Sequence, residues 1–394
     1  MKRILFIAPA AIPINGAEAI VNFKLLQLLS QNGFIIDLVT KKYKNATYPD
    51  VNIELENVNV EIIEVDNKIS IKTLLLHLFT WLKFGVCYKG AHWSFCALPV
   101  CKRLIKQHHY DYILTKNYPA ELLGAFLKRK YNLKWITTWN DPFPQHKYPP
   151  PYGEGPESVK FFTKQLLKKM SSADIHIFPN SRLRDYMLQY LDVSPEAARI
   201  APHLCQTNDV EIKKRTSRLE LIHSGKLGTQ RNPQKFLAAF AKLVRENPSL
   251  NIHLTFLGTT DKEIKNLIDL FGIGSFISIL PPENYLESLW HLRDFDVSVI
   301  IEADLQEGIF LPTKVGDAMQ MKKKIFAVSP AAGVLHDLYE SHKIDYFADV
   351  RDEAGIYNEL QRLCDDFEKQ ENWNVPPIPE EYQEEAILKL YLSL

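Results

Sequence analysis

The residues best suited to chemistry lie in Leu219–Pro233, which reads L-E-L-I-H-S-G-K-L-G-T-Q-R-N-P. A strand-like run, Leu219–His223, enters a glycine-bearing loop holding Gly225, Lys226 and Arg231. The loop then opens into an apolar-periodic helix, Gln234–Val244. Strand, glycine loop and helix N-terminus together form an anion cradle, because backbone N–H groups and the positive end of the helix dipole face the same point. Two cations beside that point suit a ligand with more than one negative charge, such as a diphosphate. The competing reading is a surface loop with two solvated charges.

A second constellation spans Glu302–Met321, E-A-D-L-Q-E-G-I-F-L-P-T-K-V-G-D-A-M-Q-M. It follows the strand Val297–Ile300 and opens a helix near Pro312. Asp317, one turn into that helix, can accept two hydroxyl hydrogen bonds, which is how a carboxylate recognises a ribose diol. Lys314, three residues earlier on the same face, can pair with Asp317 or reach a phosphate. The alternative is an acid stabilising its own helix dipole with an i,i+3 lysine partner. Asp141 follows the strand Lys134–Thr138, where it can orient an acceptor hydroxyl or a donor sugar. It can equally cap an Asp-Pro turn. His146 reads as loop surface, and Asn15-Gly16 precede the helix Ala17–Gln31 at the end of the first strand. Asp294-x-Asp296 invites a metal reading, but Asp296 opens a buried strand and no metal site is expected.

Elements of a particular kind must position these residues. Continuous apolar strands alternate with amphipathic helices through both halves, the pattern of parallel sheets covered on both faces. In the first half the strands are expected at Arg3–Ala8, Ile35–Val39, Val60–Val65, Tyr110–Thr115, Lys134–Thr138, Ile175–Pro179 and Arg199–Ala201. The fold class is therefore α/β, with two doubly wound Rossmann-like domains facing a central cleft. The expected domains are 1–204 and 205–375, followed by a final helix, Glu380–Leu394. A chain of 394 residues fits two cores better than one. Residues 1–200 hold 26 Lys and Arg against 17 acids, and residues 201–394 hold 21 against 30, so a net charge of zero hides opposite halves. The basic half suits an anionic surface or substrate. The five cysteines follow no metal spacing and suit a reducing cytoplasm. No apolar run is long enough for a membrane span.

Several of these segments resemble one known family. G-K-L-G-T-Q-R is similar to the diphosphate-binding element of retaining GT-B glycosyltransferases of family 4, with Lys and Arg exchanged. L-P-T-K-V-G-D-A-M resembles that family's L-P-S-K-x-x-E-Y-M segment, and K-W-I-T-T-W-N-D-P-F resembles its W-I-x-D-x-R-D-P-W element. The resemblance implies that Gly225, Lys226 and Arg231 bind the donor diphosphate and Asp317 the ribose, and that the helix in 376–394 packs back on the first domain. It also implies that Gly308, Ile309 and Phe310 contact the donor sugar and that Asp141 and Glu307 serve catalysis, with Asn15, Gly16 and Lys314 elsewhere in the cleft. Departures exist. The family's paired acids are spaced E-x7-E, whereas here Ile309 stands eight residues before Asp317 and Glu307 stands ten before. The implied activity is sugar transfer from a nucleotide diphosphate sugar to a glycan or lipid-linked glycan hydroxyl, with no cofactor and no nucleic-acid partner. Alternatives are a GT-B nucleotide-sugar epimerase and a weakly active partner subunit.

Ile69–Lys89 is apolar with Lys72, Lys83 and Lys89 interspersed, and basic clusters follow at 102–103 and 128–130. It reads as a core-facing helix, as a lid over an acceptor pocket, or as a contact with an anionic membrane at the inner face of the cell.

Overall fold

The computed structural model describes residues 1–12, 16–42, 59–66, 70–84, 91–143, 160–206, 217–228, 230–259, 262–369 and 373–394. Asn15, His146 and Lys89 fall outside them. The chain divides into two compact units, Met1–Leu204 together with Ile387–Leu394, and Cys205–Ala386.

The first unit holds a seven-stranded sheet ordered β3-β2-β1-β4-β5-β6-β7. Its strands are β1 (Arg3–Ile7), β2 (Ile35–Lys41), β3 (Val60–Val65), β4 (Tyr112–Lys116), β5 (Trp135–Thr138), β6 (Ile175–Phe178) and β7 (Ala198–Ile200), all paired in parallel. β4 and β5 are buried at every position, polar Thr115, Lys116, Thr137 and Thr138 included, as central strands are when helices cover both faces. The helices are α1 (Ala17–Gln31), α2 (Ile71–Phe84), α3 (Ala91–Gln107), α4 (Ala120–Tyr131), α5 (Lys160–Met170) and α6 (Ser181–Leu188). On one face Leu25, Leu26 and Leu29 of α1 pack with Ile387 and Tyr391. On the other, Trp93 and Leu104 of α3 pack with Leu123 and Leu127 of α4. α3 begins well before Pro99, although proline favours a first turn. Packing decides the extra turns: Trp93 is buried, and the Ser94 hydroxyl donates to Pro119 O at 2.7 Å.

Glu121, in the first turn of α4, is fully buried, and neither carboxylate oxygen has a hydrogen-bond partner. Burial pushes its pKa up to about 8, with Glu18 adding to the rise. The folded state therefore keeps a proton that the unfolded chain releases above its ordinary value of 4.5. Stability from this group is complete below that value and falls by about 1.4 kcal/mol per pH unit until the folded pKa is passed. Glu121→Gln is expected to flatten the denaturation midpoint between those two pH values and to raise it at pH 8. An unchanged profile in urea titrations would contradict a buried, protonated Glu121.

The second unit holds a six-stranded parallel sheet ordered β10-β9-β8-β11-β12-β13. Its strands are β8 (Leu219–Ser224), β9 (Ile252–Leu257), β10 (Ile277–Leu280), β11 (Val297–Ile301), β12 (Lys324–Ser329) and β13 (Tyr346–Asp349). Its helices are α7 (Gln234–Glu246), α8 (Lys262–Phe271), α9 (Tyr285–Leu292), α10 (Thr313–Gln320), α11 (Val334–Glu340) and α12 (Glu353–Lys369). α7 buries Phe236, Leu237, Phe240 and Leu243 in the main core of this unit.

The segment after Pro379 was expected as one helix, Glu380–Leu394, but it is broken. A 3-10 turn covers Glu380–Tyr382, Gln383 is extended, and α13 covers Glu384–Ser393. Tyr382 and Ile378 pack in the second unit's core, and Cys205 N–H donates to Tyr382 O at 2.9 Å. Ile387 and Tyr391 pack in the first unit. The side chains of one short stretch thus serve two cores, and the extended residue allows the change.

Candidate functional site

In open parallel sheets ligands bind beyond the carboxyl ends of the strands, where the strand order reverses. In the second unit that point lies between β8 and β11. The loops that follow these two strands are the two singled out by residue type.

Leaving β8, the backbone turns at Gly225 with φ +100°, a conformation that costs glycine least. A Cβ there would also lie 3.1 Å from Cε of Lys314. Thr259 staples the loop from the end of β9: its hydroxyl donates to Gly225 O at 2.9 Å and accepts from Leu227 N–H at 3.2 Å. Lys226 is exposed, Leu227 is buried, and Arg231 is partly buried. Asn232 accepts from Gln234 N–H at 2.9 Å at the start of α7.

Arg231 Nε donates to Glu302 Oε1 at 3.2 Å. Glu302 is the residue directly after β11 and is buried. Lys314, in the first turn of α10, places Nζ 3.1 Å from Nε2 of His223. His223 is buried at the end of β8, with Nδ1 2.9 Å from Val299 O. A carbonyl only accepts, so Nδ1 carries the proton and Nε2 accepts from Lys314. Burial and the Lys314 charge hold His223 neutral, with a pKa well below the ordinary value. Burial also lowers the Lys314 pKa to about 8, with Arg231 acting in the same direction and Glu302 and Asp317 opposing. Asp317 Oδ1 accepts from the buried Tyr285 hydroxyl at 2.7 Å. Burial and Asp317 together push the Tyr285 pKa up, so the phenol stays a donor. The site thus interleaves charges of alternating sign, Arg231, Glu302, Lys314 and Asp317, beside a glycine against which the Lys314 side chain lies.

Lys314, expected to pair with Asp317 or to touch phosphate, has its nitrogen on His223. Glu302, His223, Tyr285 and Thr259 were not singled out from sequence. The available signal for two of them was a polar residue closing an apolar strand, Leu219–His223 and Val297–Glu302.

Glu307 is exposed in the β11–α10 loop. Gly308 ties that loop to the start of α11: its N–H donates to Ala332 O at 2.8 Å, and its carbonyl accepts from Val334 N–H at 2.8 Å. The two segments approach so closely that a Cβ on Gly333 would lie 3.0 Å from Gly308 O. The Ile309 side chain is fully buried and Phe310 is partly buried.

In the first unit the strand order reverses between β1 and β4. Gly16 caps α1 with extended backbone and open space where a Cβ would stand. Asp141 is exposed just beyond β5. Its neighbour Asn140 donates from Nδ2 to Glu18 Oε2 at 2.6 Å, and Asn140 N–H donates to Asn117 Oδ1 at 3.1 Å. Lys116, buried at the end of β4, has its pKa lowered by burial, with Glu18 opposing. A cavity of about 30 Å³ opens here, lined by Lys116, Thr138, Asn140, His203 and Tyr391 among others. It has room for a water or two.

No protein-family model matches the chain, and no curated protein matches its sequence. Solved structures do match along its whole length. Sucrose-phosphate synthase from Thermosynechococcus elongatus is 16% identical, with 99% of this chain and 95% of that chain covered and a TM-score of 0.67. HepE from Anabaena, solved with UDP and glucose, is 13% identical, with 100% and 99% covered and a TM-score of 0.67. A glycosyltransferase from Rickettsia africae is 12% identical, with 100% and 97% covered and a TM-score of 0.69. With a doubly wound sheet in each unit and near-complete coverage of these structures, the chain has the GT-B fold, built of two Rossmann-like domains.

Proposed function

We propose that this protein is a glycosyltransferase that takes a nucleotide diphosphate sugar and delivers the sugar, with retention, to a hydroxyl of a glycan or lipid-linked glycan. The observation that carries the reading is the cluster at the β8–β11 switch point: Arg231 on Glu302, Lys314 on His223, and Asp317 on Tyr285, beside the turn at Gly225. The diphosphate lies against Lys226, Arg231 and Lys314, so its charge is met by protein cations without a metal ion. Asp317, held by Tyr285, accepts from the ribose diol. As the bond from the anomeric carbon to the diphosphate oxygen breaks, negative charge grows on the leaving group beside cations already in place. The acceptor oxygen forms the new bond on the same face, and its proton passes to a leaving-phosphate oxygen. Asp141 and Glu307 orient the acceptor and the donor sugar. HepE, a protein of similar fold solved with UDP and glucose, lends support to a nucleoside diphosphate and a sugar as ligands. The reaction serves cell-surface polysaccharide at the inner face of a membrane.

Calorimetry with UDP, GDP and dTDP tests the donor site. At least one is expected to bind with micromolar affinity, and the matching nucleotide sugar to be slowly hydrolysed. Binding of none would leave a partner-subunit role, and conversion of the sugar to its epimer without any acceptor would make the protein an epimerase.

A further inference from the structure

Helix α2 faces the wrong way for a core helix. Ile71, Leu74, Leu75, Leu78, Phe79 and Leu82 are 48–79% exposed. At 100° per residue these six fall in one arc of about 140°. An apolar stripe that periodicity would assign to a core instead meets solvent, which corrects the core-facing expectation for this segment. Lys72, also exposed, lies at the edge of the stripe.

The helices beside it share a second property. α2 packs on α3, α3 on α4, and α4 on α5. Together α2–α5 carry twelve Lys and Arg residues and a single acid, Glu121. Glu121 is fully buried and, by its raised pKa, uncharged at pH 7. Arg103, Lys106, Arg129, Lys130, Lys168 and Lys169 are exposed. Among the described residues no helix is long and apolar enough to cross a membrane.

We infer that the α2–α5 layer docks on an anionic lipid surface, with the α2 stripe lying among the acyl chains and the cations of α3–α5 against the headgroups. An apolar helix face with lysine at its edge settles at the interface plane, and each nearby cation adds to the attraction for acidic lipid. A second copy of this chain fits less well. A two-fold contact sets the same patch against itself, and so brings one basic layer onto another. A nucleic acid would satisfy the cations but leave six exposed apolar side chains without a role. The inference names the surface behind the membrane contact in the reading above. Its test reads binding alone, so it stands or falls apart from sugar transfer.

The experiment is co-sedimentation of the full chain with vesicles of phosphatidylcholine alone and of phosphatidylcholine mixed with phosphatidylglycerol. Binding is expected to the mixed vesicles, at least about tenfold stronger than to the neutral ones, and to weaken when salt is raised from about 0.15 M to about 1 M. Leu75→Glu/Phe79→Glu and Arg103→Glu/Lys106→Glu alter exposed side chains only, and each is expected to lower binding about tenfold or more, with an unchanged circular dichroism spectrum. No binding, or equal binding to both vesicle types, overturns the inference. So does a concentration-dependent dimer abolished by Leu75→Glu/Phe79→Glu, or a duplex oligonucleotide bound more tightly than the mixed vesicles.

Discussion

Arg231→Ala lowers turnover of the nucleotide sugar by about 100- to 1,000-fold, the usual effect of removing one preorganised donor from a developing negative charge. The fold survives, because Arg231 is partly exposed and stands in a loop outside the sheet. Its pairing with Glu302 sharpens the expectation. With the guanidinium gone, the buried Glu302 carboxylate faces the diphosphate with one cation fewer to screen it. Loss of attraction and gain of repulsion then act together. The double variant Arg231→Ala/Glu302→Gln separates the two, and recovers about tenfold relative to the single change. Steady-state kinetics with a single donor decide the matter. Near-normal turnover in Arg231→Ala would falsify the diphosphate assignment, and a fall in the melting temperature alone would mean a structural role for the pair.

Lys314→Met weakens nucleoside diphosphate binding by about 10- to 100-fold, the scale of one charge-assisted hydrogen bond of about 1.5–3 kcal/mol. The native protein shows a related loss without mutation. Lys314 titrates at about 8, so the cation that meets the phosphate disappears as pH rises through that value, while Arg231 stays charged. Stability moves the other way. The folded pKa lies below the unfolded value of 10.5, so between pH 8 and that value the unfolded chain binds more protons, and ligand-free stability gains from this group as pH rises. Affinity measured by calorimetry and stability measured in urea are thus expected to diverge above pH 8, and both trends should be absent in Lys314→Met. An affinity that stays flat from pH 7 to 9.5 in the native protein would remove Lys314 from the phosphate site.

The strands were legible because a buried parallel strand is an unbroken apolar run. Even the edge strand β3 falls at Val60–Val65, as its own composition suggests. Helix ends were less legible, since Pro99 imitates a helix start and only the burial of Trp93 outweighs it. Within the candidate site, Arg231, Lys314 and Asp317 could be picked out by type and loop position. Glu302, His223 and Tyr285 could not. They arrive from two strand ends and a separate helix, brought together where β8 pairs with β11 in the register Val297↔Leu221 and Ser298↔Ile222. The direction of α2 was illegible for a different reason: its periodicity is the same whether its stripe faces a sheet or water.

The contribution of Ile387 and Tyr391 to the first unit has a consequence in time. Lys2 Nζ donates to Leu392 O at 2.7 Å, Lys134 Nζ to Leu394 O, and the two side chains fill the core under α1. On a translating ribosome at about 5–20 residues per second, they emerge roughly 10–40 seconds after Leu204. Through that interval Leu25, Leu26 and Leu29 have no cover from this stretch, while the strands of the second sheet, Leu219 to Asp349, emerge one after another. The half of the protein made first is therefore the half completed last, and its unfinished α1 face is where a chaperone would find the nascent chain.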